Sequence, residues 1–285
     1  MISFGEYKGS IGKFYNEEPF DFLIYRPIAY LIVKLTYGLP LTPNHFSFLS
    51  ILTSITAGLF LAMGTGQGFL WGGIGIVFFC VWDCCDGMLA RMKKNGSMYG
   101  KYVDRVSDLF ANTSFLLGAF IGFHKYQSGF SLIAISIPVC GVFILVHVAT
   151  YQFYKNQMDC YLANNPAGQK RELENLEASY RRLKESQTQP FHVILLKTCL
   201  LFSKLQKEPK PIVEYDVGAY VKANKLILPL WGVLAGSTHL TIFAVALVVR
   251  QIEVYVVYAL LFANLWAMLV FRIQRGANNK VRVVP

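Results

Sequence analysis

Charged side chains are scarce in this sequence of 285 residues, and acidic ones are the scarcer kind. Asp, Glu, Lys and Arg make up 15% of the chain, against about 25% in soluble proteins. Apolar residues make up 54%, which excludes a disordered chain, a coiled coil and a collagen-like fibre. The composition therefore favours a protein embedded in lipid.

Cysteine is also sparse. The six cysteines include no Cys-x-x-Cys pair, which excludes a disulfide scaffold and a zinc ribbon. A secretory signal is lacking too, because Glu6, Glu17 and Glu18 interrupt the N-terminal region before any short apolar core. We expect the mature chain to start at Met1.

Six stretches provide the roughly 20 mainly apolar residues that a helix needs to cross a bilayer. They are Phe46 to Met63, Phe69 to Leu89, Tyr102 to Phe123, Phe130 to Tyr154, Leu226 to Val249 and Ile252 to Phe271. The predicted fold class is an all-α integral membrane protein with six transmembrane helices. Its predicted parts are an N-terminal region over 1–45, four spans over 46–154, an insertion over 155–225, two spans over 226–271 and a tail over 272–285.

The positive charges predict the orientation of these spans. If the N-terminus is cytoplasmic, only Lys125 and Arg250 of the 27 basic residues fall in the outer connections. Since Lys and Arg are retained on the cytoplasmic side, we expect both termini there. Membrane topology thus accounts for the net charge of +10 without a nucleic-acid partner.

Two further helices are predicted at the cytoplasmic surface. Phe22 to Leu39 is apolar but contains Arg26 and Lys34, which favours an amphipathic juxtamembrane helix over a seventh span. Phe191 to Leu205 is short for a span and is expected on the membrane surface. In the insertion, apolar residues at helical spacing among charges predict an amphipathic helix: Leu173, Leu176, Tyr180 and Leu183.

Four carboxylates lie at membrane depth, where ionisable groups are costly and normally serve a partner, a cavity or a site. They end the second predicted span and begin the third: Asp83, Asp86, Asp104 and Asp108. Spacings of three and four residues place each pair on one helix face. Only a short connection joins the two helices, so we expect the acidic faces to meet.

Carboxylates that converge repel one another and need neutralisation. An all-oxygen set without His or Cys suits Mg²⁺, Mn²⁺ or Ca²⁺, and four acids suffice for two ions. Salt bridges to Arg91, Lys101 and Arg105 are one alternative, and an ion pathway in a transporter is another.

Small residues beside the acids favour a ligand over a transport path. Gly87 and Gly100 expose backbone on the acidic faces, and Ala90 adds another small position. Arg91 offers a planar fork suited to phosphate. Metals, an arginine and small residues beside apolar helices suit a diphosphate ligand with one end in lipid.

These residues form a motif that resembles the signature of the CDP-alcohol phosphotransferase family, DxxDGxxAR-x8-GxxxDxxxD, without a departure. The eight matching positions are Asp83, Asp86, Gly87, Ala90, Arg91, Gly100, Asp104 and Asp108. The Pro43-Asn44 pair before the first span is also similar to this family. The resemblance covers the motif, the six-span plan and the interfacial N-terminal helix, not the insertion.

The resemblance implies a displacement at a CDP-linked alcohol by the hydroxyl of a second alcohol, which releases CMP. It implies two divalent cations, Mg²⁺ or Mn²⁺, held by Asp83, Asp86 and Asp104, with Asp108 as general base and further metal contact. A nucleotide and diphosphate wall is implied at Gly87, Ala90, Arg91, Gly100 and Asn44. It also adds a homodimer.

The direction of transfer stays open at this point. CDP-diacylglycerol donating to a small polar alcohol is one reading, and a CDP-linked headgroup donating to diacylglycerol is another. A cation-coupled transporter is the alternative from a different class. Basic residues at the ends of the fifth and sixth spans are candidates for the acceptor or lipid phosphate, or else membrane anchors: Lys222, Lys225 and Arg272.

Overall fold

The computed structural model describes residues 7, 9–11, 17–93, 98–126, 132–165, 168–186, 193, 196–198, 200–201 and 215–282. At 98–103, 105, 106 and 168–172 the description covers the backbone. Within these ranges the regular structure is helical, without a β-strand, and one isolated bridge pairs Tyr215 with Arg282.

Short connections join most consecutive helices, whereas residues 187–216 separate the sixth helix from the seventh. A π-helical turn, Asp21–Tyr25, leads into α1 (Arg26–Thr36), followed by α2 (Pro43–Ala62), α3 (Gly66–Met92) and α4 (Met98–Tyr126). Next come α5 (Leu132–Leu162), α6 (Gly168–Ser186), α7 (Val217–Gly232) and α8 (Gly236–Val248). The chain ends with α9 (Ile252–Val257), a π-helical stretch (Tyr258–Phe262) and α10 (Ala263–Val281).

Five helical segments are long and apolar enough to cross a membrane. They are α2, α3, α5, the pair α7 and α8, and the run from α9 to α10. The protein is therefore an all-α, multi-pass membrane protein. The predicted third span, Tyr102 to Phe123, lies inside α4, which has 29 residues but is not among the five. Its membrane crossing stays a prediction.

Two helices extend beyond their predicted spans into the polar interruption. α5 continues past Tyr154 to Leu162, and α7 begins at Val217 instead of near Leu226. The extensions contact each other, because the Tyr220 hydroxyl donates to Gln157 Oε1 at 2.8 Å. The Tyr220 ring also stacks on Tyr161 at 4.2 Å. Aromatic packing thus prolongs these helices where the apolar run has ended.

Helices occur within two of the stretches predicted to lie at the membrane surface, and that surface position stays a prediction. α1 buries Ala29, Tyr30 and Val33, and α6 covers the predicted amphipathic stretch, with Leu176 buried against Leu196 and Leu200. Most of Phe191 to Leu205 lies outside the described residues.

α2 and α4 cross in close backbone contact. A Cβ added to Gly118 would overlap the Gly58 carbonyl, and one added to Gly122 would overlap the Leu61 carbonyl. Small residues allow membrane helices to approach this closely. The crossing holds α4 against α2, and α2 also packs on α3.

We expect Gly118→Ala to lower the melting temperature in detergent, because the new methyl group meets backbone that cannot move alone. Gly276→Ala is the matched control, since a Cβ there would have no atom within 4 Å and alanine favours a helix. A melting temperature unchanged in Gly118→Ala would contradict the close crossing.

The fifth predicted span is broken between α7 and α8. The N-cap residue Ala235 offers no side-chain cap, and the chain's N-terminal segment supplies one, since Glu18 Oε2 accepts from the Ser237 N–H at 2.9 Å. Pro19 packs on Gly232. Further along, Tyr25 shares a 2.7 Å hydrogen bond with Thr241. The N-terminal segment is thereby attached to the break.

We expect Glu18→Ala to destabilise the protein by about 1 kcal/mol, the usual cost of removing a helix cap. Glu18→Gln keeps an amide oxygen that can accept the Ser237 N–H, so it should retain most of the stability. Thermal unfolding of both variants in detergent tests this; equal loss in both would show that the negative charge matters rather than the cap.

Candidate functional site

Three of the four motif carboxylates meet at one place. Asp83 and Asp86 lie near the end of α3, and Asp104 lies in the second turn of α4. One carboxylate oxygen from each residue can be chosen so that all three lie within 4.8 Å of one another. Both α3 and α4 pack on α2, and the acids at the end of α3 and the start of α4 come together there.

Asp108 lies outside this three-carboxylate group. Its carboxylate is close enough to interact electrostatically with Asp83 and Asp104, and its backbone carbonyl accepts from Asn112 Nδ2 at 2.7 Å. Asp108 therefore lies near the three carboxylates but is not one of the group.

A serine that the sequence analysis missed holds one of the acids. The buried Ser47 hydroxyl donates to Asp86 Oδ2 at 2.7 Å. Ser47, Ser50 and Ser54 recur at helical spacing along α2 and are all buried. That polar stripe within an apolar run was the signal that could have identified the residue.

The three-carboxylate group fits hard divalent cations. It offers only carboxylate oxygens at short mutual distances, the donors that Mg²⁺ and Mn²⁺ prefer. Within the described part of the chain, no basic side chain forms an ion pair with Asp83 or Asp86. Arg91 instead donates through Nε to the Ser10 carbonyl at 2.7 Å. The predicted salt bridge from Arg91 to these acids is therefore not found among the described residues. The side chains of the other two predicted partners, Lys101 and Arg105, lie outside the description.

The structure describes the residues predicted to form the nucleotide and diphosphate wall, Gly100 by its backbone alone. The Arg91 guanidinium lies over Gly87, where an added Cβ would be 3.5 Å from Nη2. Ala90 is half-buried on the same helix, and Asn44 is exposed in the first turn of α2. Gly100 lies in α4 one turn before Asp104. The role of these positions in binding a nucleotide stays a prediction.

The predicted acceptor residues lie elsewhere on the bundle. Lys222 and Lys225 are exposed on α7, and Arg272 is exposed on α10. The two helices pack on each other, so the three cations occupy neighbouring helices. A role in binding phosphate stays a prediction for each.

The N-terminal segment adds charges that sequence reasoning did not assign to the site. Glu18 is close enough to Asp108, and Asp21 to Asp83, for their charges to interact. Burial raises the pKa of Asp21 to about 7, and Glu18 adds to this shift, while Arg26 opposes it.

The comparisons with known proteins agree with this site. Residues 40–170 match the family model described as CDP-alcohol phosphatidyltransferase. This segment, which includes the whole motif, is similar to that family. A relative, phosphatidylinositol phosphate synthase of Corynebacterium glutamicum, is 28% identical over 120 residues, which cover 41% of this chain and 51% of the relative. The match thus spans about half the length of that protein.

We expect Ser47→Ala to weaken the binding of Mn²⁺ by about 10-fold, because loss of a hydrogen bond that orients a metal ligand typically costs that much. Titration with Mn²⁺, followed by the melting temperature, measures this without turnover. Ser136→Ala, which removes only a bond to the Ile133 carbonyl, is the control. Equal Mn²⁺ affinity in Ser47→Ala and wild type would contradict the role of Ser47.

We expect Asp21→Asn to stabilise the protein more at pH 8 than at pH 5. An acid whose pKa is raised by folding binds its proton more tightly in the folded state, so stability falls as pH rises from about 4 to about 7. The charged groups that shift the pKa of Asp21 are Glu18, Arg26, Lys155 and Glu17, and Asp21 also interacts with Asp83 and Asp108. Thermal unfolding at the two pH values tests this, and a pH-independent effect would contradict it.

Proposed function

We propose that the protein is a membrane transferase that moves a substituted phosphate group from a CDP-linked alcohol to the hydroxyl of another alcohol and releases CMP. The donor in this proposal is CDP-diacylglycerol and the acceptor is a small polar alcohol. The observation that carries it is the convergence of Asp83, Asp86 and Asp104 within the segment that matches the family. The activity named for the relative is a phosphatidyl-type synthesis.

In this proposal, Asp83, Asp86 and Asp104 hold two divalent cations, Mg²⁺ or Mn²⁺, and Asp108 provides a further contact. Such ions neutralise charge on the transferring phosphoryl group and on the leaving CMP. Ser47 keeps the Asp86 carboxylate in place through its hydrogen bond. The ions suit the donor set, because no nitrogen or sulfur ligand lies in the group.

Asp108 is the proposed general base. It stands beside the three-carboxylate group without being part of it, so its carboxylate can accept the proton of the attacking hydroxyl. The acceptor oxygen forms a bond to the lipid-side phosphorus while the anhydride bond breaks, and the electron pair leaves with CMP. Arg91 offers its guanidinium to the diphosphate, and Gly87 leaves room for it.

The proposed topology places this site at the cytoplasmic face. α4 is proposed as an additional span, the third along the chain, which raises the number from five to six. Its 29 residues and its exposed apolar side chains, Phe110, Leu117 and Phe120, support this. Six spans put both termini on the same side, and the distribution of Lys and Arg makes that side cytoplasmic. α1 lies in the interface, with Leu31 and Leu35 exposed toward lipid. A homodimer completes the proposal, as the family resemblance implies.

The first experiment measures CMP release by purified protein in detergent with CDP-diacylglycerol, Mn²⁺ or Mg²⁺, and acceptor alcohols supplied singly. We expect release with one acceptor and its loss in Asp83→Ala. Glu253→Ala, an exposed acid in the first turn of α9, is the control. If the folded wild type releases no CMP with any of the acceptors, a CDP-linked headgroup is favoured as the donor. Ion flux without CMP release would favour the transporter.

We expect Asp108→Asn to lower CMP release by at least about 100-fold, the usual contribution of a general base, while CDP-diacylglycerol still binds. Turnover and equilibrium binding are measured on the same preparation. Turnover at the wild-type rate would remove Asp108 as the base.

We expect a chelator to stop CMP release and added Mg²⁺ or Mn²⁺ to restore it, because the carboxylates alone cannot neutralise the transferring group. The control adds back Mg²⁺ after an excess of chelator has been removed. Full activity in excess chelator would exclude the metal site.

A further inference from the structure

Arg26 is a buried cation at the start of α1. Its side chain is 12% exposed, and Nη2 forms an ion pair with Glu17 Oε2 at 2.5 Å. The other nitrogens, Nε and Nη1, are buried and have no hydrogen-bond partner among the described residues. Within the described part of the chain, one guanidinium nitrogen is thus paired and the other two are not.

Leaving those N–H groups without an acceptor is costly. A guanidinium stays charged in proteins, and a buried donor of a charged group without a partner costs more than the 1 to 3 kcal/mol typical of neutral groups. Loss of the proton cannot relieve this cost, as it would for lysine. The position therefore calls for an oxygen that the described residues do not supply.

Arg26 is close enough to Arg91 of the motif for their charges to interact. The acids whose charges interact with Arg26 are Glu17, Asp21 and Glu18. Arg91 donates through Nε to the neutral carbonyl of Ser10, and its terminal nitrogens lie over Gly87. Two neighbouring guanidinium groups that repel each other attract an anion with several oxygens.

Glu17 fixes the guanidinium without covering it. The Glu17 carboxylate pairs with Nη2, whereas Nε and Nη1 have no hydrogen-bond partner among the described residues. Glu18, the next residue, is bound to the Ser237 N–H, which anchors this part of the N-terminal segment on α8. Packing therefore restricts the Arg26 side chain, whose Nε and Nη1 groups have no acceptor among the described residues.

We propose that Arg26 is a further substrate-binding residue, whose Nε and Nη1 groups donate to a phosphate oxygen beside Arg91. This inference rests on the proposed function and adds to it a residue from outside the family segment, which begins at residue 40. The phosphate belongs either to the CDP-linked donor or to a phosphorylated acceptor, and the experiment separates these sources. Glu17 is a positioning residue for the guanidinium.

The experiment compares Arg26→Gln and Arg26→Lys with Arg182→Gln, an exposed arginine on α6. Equilibrium binding of CDP-diacylglycerol is measured without turnover, and KM is measured for the donor and for matched phosphorylated and unphosphorylated acceptors. We expect Arg26→Gln to weaken one of these by 10- to 100-fold, the order given by a hydrogen bond to a charged group. Arg26→Lys should recover part of the loss, because lysine keeps the charge but not the fork.

The two sources give different patterns. Weaker donor binding with unchanged acceptor KM assigns the phosphate to the donor, whereas a raised KM for the phosphorylated acceptor alone assigns it to the acceptor. Donor binding and both KM values at wild-type level in Arg26→Gln would overturn the proposal, since buried water would then satisfy Arg26. Wild-type protein that binds CDP-diacylglycerol through Arg26 but never releases CMP would contradict the proposed function and leave this inference standing.

A second measurement needs no variant, in case Arg26→Gln does not fold. Hydrogen exchange of the backbone amides over 26–36 is followed in wild-type protein with and without CDP-diacylglycerol and with each acceptor. A phosphate held by Arg26 should slow exchange in the first turns of α1. Unchanged exchange with every substrate that binds would overturn the proposal.

Discussion

Mutual repulsion among carboxylates at the level of the membrane is the constraint around which this structure is organised. Asp83, Asp86 and Asp104 meet within a few ångströms, and a lipid-embedded protein cannot screen them with bulk water. Three features of the protein reduce the cost of this repulsion or hold the acids together against it. Ser47 donates a hydrogen bond, the backbone crossing of α2 and α4 prevents the helices from moving apart, and the donor set is suited to divalent cations.

Much of this arrangement follows from local sequence. Acids three and four residues apart, on helices joined by a short connection, can only present adjacent faces, so their convergence was predictable from spacing. The membrane class followed from apolar runs alone. Whether α4 crosses the membrane is harder to establish from hydropathy, because the acids that form the site interrupt its apolar run. The extended ends of α5 and α7 escaped prediction because Tyr220 and Gln157 stabilise them by contact, which no hydropathy pattern contains.

Contacts between distant parts of the chain account for the rest. Arg26 and Lys34 predicted an interfacial helix, yet the preceding residues reach the break in the fifth span, where Glu18 binds Ser237. Neither partner signals the other in sequence, because a helix cap normally comes from the adjacent residue. The serine stripe on α2 was visible, but only the packing of α2 on α3 assigns Ser47 to Asp86.

The bond between Glu18 and Ser237 joins residues 219 positions apart, and this has a consequence for biosynthesis. Contacts of such long range form late, and during translation Glu18 emerges well before α8 exists. The α3–α4 carboxylates can therefore assemble on the growing chain while their N-terminal neighbour still lacks its anchor. The N-terminal segment can be attached at the break between α7 and α8 only after α8 has been synthesised.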